Sequence, residues 1–105
     1  MLTRISNGRP GQVVFESDNG NVVSILWAWG SYSDNHITIP DPMTIEERIS
    51  KQDWESTTVE VYSMGKASNT FTAYLERKYG QNPAGYVPVN DIPKILRRLD
   101  HEPRH

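Results

Sequence analysis

The run Asn21-Val22-Val23-Ser24-Ile25-Leu26-Trp27-Ala28-Trp29-Gly30-Ser31-Tyr32-Ser33-Asp34-Asn35 is the most apolar stretch of the chain, and it ends in a Gly-bearing turn crowded with hydroxyls and an amide. Its first half reads as a strand. Alternation puts Val23, Ile25, Trp27 and Trp29 on one face, and Val22, Ser24, Leu26 and Ala28 on the other. Both faces are largely apolar, so this strand belongs in the middle of a sheet with something packed on each side. The second half reads as a loop that presents rings and polar groups together.

Working outward, Ser17-Asp18-Asn19-Gly20-Asn21 is a strong turn signal. Asn-Gly supplies the two positive-φ residues that a type I′ hairpin turn requires. Gln12-Val13-Val14-Phe15-Glu16 precedes it as the partner strand, so an N-terminal hairpin is expected. Residues 1–10 read as a flexible leader, with Ser6-Asn7-Gly8 and Pro10-Gly11 as turn signals.

Downstream, residues 30–43 read as loop, with a brief edge strand over His36-Ile37-Thr38-Ile39. Thr44-Ile45-Glu46-Glu47 has the capping-box spacing, predicting a short helix that ends near Lys51 or Gln52. Ser56-Thr57-Thr58-Val59-Glu60-Val61-Tyr62-Ser63 alternates as a further strand, with Val59 and Val61 inward. Ser68 caps a helical pattern in which Phe71, Tyr74, Leu75 and Tyr79 share a face and Gly80 closes the C-terminus. The alternation of Phe71, Ala73 and Leu75 leaves a strand open there. Tyr86-Val87-Pro88-Val89 is extended, and its proline confines it to an edge or connector. Asn90 is expected to cap the last helix, where Ile92, Ile95, Leu96 and Leu99 form the apolar stripe. The tail after Asp100 reads as frayed. The expected fold class is α+β: a small antiparallel sheet of three to four strands, opened by the hairpin and packed by two C-terminal helices.

At 105 residues this is one domain, 1–105, with a modest core built on a few bulky rings: 36% of residues are hydrophobic and 10% aromatic. No cysteine is present, which excludes disulfides and thiolate metal sites. No apolar run reaches the roughly 20 residues that span a bilayer, and MLTRISNGRP lacks a signal-peptide core. A cytoplasmic protein without a membrane association is expected. Residues 16–60 carry nine acids and two bases, and residues 61–105 four acids and seven bases. Pairing of the two halves within the chain, or an acidic face meeting a basic partner, accounts for this asymmetry. The overall charge of −2 disfavours non-specific DNA binding.

Catalytic and metal chemistry finds little support. His101 and His105 have a ligand-pair spacing that Pro103 interrupts. His36 near Asp34, Ser31 and Ser33 supplies hydrolase residue types without a nucleophile elbow, which makes a small enzyme using loop 30–36 the third-ranked reading. Glu46 and Glu47 diverge on a helix and face water. No cofactor, metal or catalytic residue is expected. The candidate binding set is Trp27, Trp29, Ser31, Tyr32, Ser33, Asp34, Asn35 and His36, because rings give contact area at low entropy cost and short polar side chains fix orientation. A secondary acidic surface comprises Asp41, Glu46, Glu47, Asp53 and Glu55.

A family resemblance adds a setting. The order Asn-Gly turn, Val-Ser-Ile, Trp-Gly-Ser-Tyr-Ser-Asp-Asn, Val-Glu-Val strand and Gly-Tyr-Val-Pro-Val-Asn-Asp-Ile before a Leu-bearing helix resembles a group of small uncharacterised proteins of tailed bacteriophages and prophages. The likeness covers residues 15–36, 57–63 and 83–99. It implies a phage-encoded accessory protein made in a bacterial cytoplasm, and no reaction. The leading expectation is a non-enzymatic inhibitor or modulator of a host protein with a basic surface, an anti-phage defence component among the targets. The alternative is a protein that binds or sequesters a nucleotide or small ligand. Association with a second copy of the chain is left open.

Overall fold

The computed structural model describes residues 2–8, 11–28, 31–34, 55–64 and 69–101. Five antiparallel strands lie in sequential order: β1 (Leu2–Ser6), β2 (Gln12–Ser17), β3 (Val22–Leu26), β4 (Thr58–Ser63) and β5 (Ala84–Pro88). Helix α1 (Asn69–Tyr79) connects β4 to β5, and a 3-10 turn over Val89–Asp91 leads into α2 (Ile92–His101). The class is α+β, with one or two strands more than the sequence suggests. The edge strand expected over 36–39, the helix over 44–52 and the cap Ser68 lie outside the described residues.

β3 is the central strand, and its register explains the core. Val23 and Ile25 pair with Phe15 and Val13 of β2 on one side, and with Ser63 and Val61 of β4 on the other. Period-two alternation therefore sends Val23, Ile25, Val59 and Val61 to a single face. Phe71 and Leu75 of α1 and Ile95 and Leu99 of α2 close over that face, all fully buried, and Ala84 and Val87 of β5 complete the cluster. Spacing of i, i+4 within each helix puts these pairs on one side, so both helices cover the same layer. On the opposite face Ser24 is buried and accepts a hydrogen bond of 2.7 Å from Gln12 Nε2.

Residues 2–6, read from sequence as part of a flexible leader, form β1. Leu2-Thr3-Arg4-Ile5-Ser6 lacks a burial pattern, and Ile5 stays exposed. The ladder to β2 makes it a strand, not a hydrophobic face. The pair between Arg4 and Glu16, 4.0 Å apart and open to solvent, adds little to it.

The hairpin turn is also different in kind from the two-residue form. Gly20 N–H donates to the Ser17 carbonyl at 3.0 Å, Ser17 N–H donates to the Asn21 carbonyl at 3.0 Å, and φ is positive at Gly20 but not at Asn19. This is a three-residue loop with glycine at the bulge position, which needs only one left-handed residue. The departure frees Asn19 for packing. Its amide Nδ2 donates to the Leu99 carbonyl at 2.8 Å, Asn21 Nδ2 donates to the same oxygen at 3.1 Å, and Asn19 Oδ1 accepts from the Asn21 backbone N–H at 2.9 Å. The carbonyls of a helix's last turn have no partner within the helix. Here the hairpin turn supplies one.

Asn90 does not cap α2. It sits exposed inside the 3-10 turn that carries the chain from Pro88 into the helix.

Candidate functional site

The segment 31–34 follows β3 and lies against β4 and β5. Alternation continues through it: Ser31 and Ser33 point inward, Tyr32 and Asp34 outward. Small hydroxyl residues can be buried there because each finds a partner. Ser31 Oγ donates to the Ala28 carbonyl at 2.6 Å and lies 2.7 Å from Ser33 Oγ. With 2% and 1% exposure, neither serine can touch a partner, and neither hydroxyl is placed as a solvent-facing nucleophile.

Asp34 fastens the segment to the start of β4. Its Oδ2 accepts from the Thr57 backbone N–H and from Thr57 Oγ1, each at 2.7 Å, and its Oδ1 accepts from Thr58 Oγ1 at 2.7 Å. The Thr57 hydroxyl, then its amide, then the Thr58 hydroxyl favour the ionised form and lower the carboxyl from 3.8 to about 2. Asp34 is therefore a charged clip that stays ionised under all ordinary conditions.

A second fastening joins the segment to β5, where Tyr86 N–H donates to the Tyr32 carbonyl at 2.7 Å. Gly85 makes this approach possible, since a Cβ there would stand 2.8 Å from Tyr32 Cβ. Tyr86 itself is held at φ 52°, a region that costs a non-glycine residue about 1–3 kcal/mol. The result is a pair of rings, Tyr32 and Tyr86, with centroids 6.4 Å apart and planes tilted by 51°. They remain 47% and 53% exposed.

Of the sequence candidates, the structure thus makes Ser31, Ser33 and Asp34 supports, and leaves Tyr32 as the outward group. Trp27 is half-buried against the core. Trp29, Asn35 and His36 lie outside the described residues, as do Asp41, Glu46, Glu47 and Asp53. Glu55 is described and exposed. Tyr86 was missed: its stretch reads simply as an extended edge, and nothing local marks a tyrosine for positive φ.

Trp27 instead walls a second concave feature. An apolar cleft of about 490 Å³ opens on the helix side of the sheet between Val13, Phe15, Trp27, Val59, Val89 and Ile92, with Glu55 and Ser56 at its polar margin. No cation lines it among the described residues. Among the described residues no cluster of His, Cys, Asp and Glu is arranged to hold a metal ion, and no helix is long and apolar enough to cross a membrane.

No family model matches the chain, and neither does any curated protein or solved structure.

Proposed function

We propose that this is a non-enzymatic binding protein of the phage accessory type, made in a bacterial cytoplasm, which inhibits or modulates a host protein by direct contact. One observation supports the reading above the others. Two exposed tyrosines from segments more than fifty residues apart are brought side by side, their rings tilted, on a backbone fastened from both sides, one of them at positive φ. Rings held in place before binding lose little entropy when a partner covers them, and tyrosine is enriched where contact energy concentrates. Asp34, ionised beside the pair, and a net charge of −7 over residues 16–60 favour a partner with a basic surface. An anti-phage defence component is the target class that the phage resemblance suggests.

The test starts from a photocrosslinker installed at Tyr32, used to capture a protein from bacterial lysate, which is then identified, purified and titrated. Tyr32→Ala and Tyr86→Ala should each weaken the reconstituted complex by about tenfold or more while the melting temperature stays close to that of the parent. Equal affinity in both variants would overturn the proposal. So would a loss of affinity that merely follows unfolding.

The apolar cleft favours a second reading, a protein that sequesters a small apolar ligand. A saturating ligand at about 100 Kd adds about 2.7 kcal/mol to stability, so a thermal-shift panel of acyl and aromatic compounds separates the two.

A further inference from the structure

The outer seam between the two helices gathers positive charge. Tyr74 of α1 and Lys94, Arg97 and Arg98 of α2 line an open groove of about 390 Å³. The three cations stand at i, i+3 and i+4, which puts them on one helix face where like charges repel. Arg98 Cζ lies 4.8 Å from the centroid of the Tyr74 ring, and Lys78 Nζ lies 6.0 Å from the same centroid. Lys78, Lys94 and Arg97 make no ion pair with any described residue. Two acids stand near and keep their charge while accepting hydroxyl bonds, Asp91 from the Tyr79 hydroxyl at 2.7 Å and Asp100 from Ser17 Oγ at 2.9 Å; Lys78, Lys94, Arg97 and Arg98 outnumber this pair.

This chemistry suits phosphate. Guanidinium groups bind phosphate oxygens through paired donors, and lysine adds a point charge. The Tyr74 ring holds the Arg98 plane in place, and guanidinium and aromatic planes both accept a stacked base. Size and field argue for a compact ligand. The groove falls within the range of small-ligand sites, about 300–1,000 Å³. A long polyanion would also feel the net −7 of residues 16–60, whereas a compact one feels chiefly the cations within a Debye length of about 8 Å.

We infer that the groove between α1 and α2 is a binding site for a nucleoside polyphosphate, with its phosphates on Lys94 and Arg97 and its base against the Arg98–Tyr74 stack. The site is separate from the tyrosine pair and stands or falls independently of it.

The experiment is calorimetric titration of the full chain with ATP, AMP, adenosine, pyrophosphate and a single-stranded oligonucleotide. The expected result is saturable one-to-one binding of ATP, weaker AMP and no detectable adenosine. The Lys94→Ala/Arg97→Ala double variant should lose about tenfold or more in ATP affinity with an unchanged melting temperature, because both side chains are exposed and each removed cation takes a charge-assisted bond with it. Arg4→Ala, an exposed cation on the far edge strand, should change nothing. Tyr74→Leu should weaken ATP more than pyrophosphate. Absence of ATP binding at millimolar concentration, unchanged affinity in the double variant, or an equal loss in Arg4→Ala would each overturn the inference. Binding of the oligonucleotide without ATP would overturn it too, in favour of a strand-binding groove.

Discussion

Removing the Asn19 side chain tests how the hairpin and the last helix are held together. In Asn19→Ala the Leu99 carbonyl loses its 2.8 Å donor, and the buried Asn21 N–H loses its 2.9 Å acceptor. A net hydrogen bond is worth about 1 kcal/mol, and a buried N–H left without a partner adds about 1–3 kcal/mol, so the total should be roughly 2–4 kcal/mol. Asn21→Ala takes away only the 3.1 Å donor and leaves Asn19 on the same carbonyl, so it should cost about 1 kcal/mol. The double variant strips both side-chain amides from that oxygen. It should therefore cost more than the two single changes together, since removing the last donor matters more than removing one of two.

Urea unfolding followed by tryptophan fluorescence reads these differences directly, with an unchanged m-value showing that the comparison is fair. For a domain of 105 residues the Asn19 change should lower the melting temperature by about 8–16 °C. A cost below about 0.5 kcal/mol for Asn19→Ala, or a larger cost for Asn21→Ala than for Asn19→Ala, would refute the idea that the turn caps the helix.

Two further outcomes follow from the clipped segment. Asp34 has a depressed carboxyl, so its contribution to stability is present above its ordinary value of 3.8 and is lost as pH falls toward about 2; the melting-temperature gap between the parent and Asp34→Asn should be steady at neutral pH and close across that window. Gly85→Ala places a Cβ 2.8 Å from Tyr32 Cβ, so it should destabilise by about 1–3 kcal/mol and move the tyrosine pair, seen as altered Tyr32 and Tyr86 ring resonances in NMR spectra.

Much of the frame is legible in the residues, because burial and alternation coincide there. Val23, Ile25, Val59 and Val61 are apolar at every second position, and they face the core. The two patterns available to 69–79 are separated by one residue. A strand would have sent Ala73 inward with Phe71 and Leu75, but Ala73 is exposed and the i, i+4 pair alone is buried. β1 leaves no such trace, since an edge strand is fixed by its neighbour's unpaired backbone groups and needs no apolar face. The turn at Asn19 was readable as a turn but not in its type. Its geometry answers to Leu99, eighty residues away, and local composition carries no information about that partner.

The candidate contact surface shows the same division. Ser31-Tyr32-Ser33-Asp34 already alternates small and large, so the inward serines and outward ring were open to reading from sequence. Tyr86 was not. A tyrosine at φ 52° persists only if its surroundings leave it no alternative. Here Ala84 and Val87, both fully buried, anchor the chain on either side, and the bond from Tyr86 N–H to the Tyr32 carbonyl fixes the peptide between them. That carbonyl is itself immobilised, because Ser31 and Ser33 are locked inward and Asp34 is held by three donors from Thr57 and Thr58. Ser31, Ser33 and Asp34, which look like contacts from the sequence, thus serve to hold a backbone still. The conformation those bonds sustain at Tyr86 sets its ring beside Tyr32 and leaves both rings exposed.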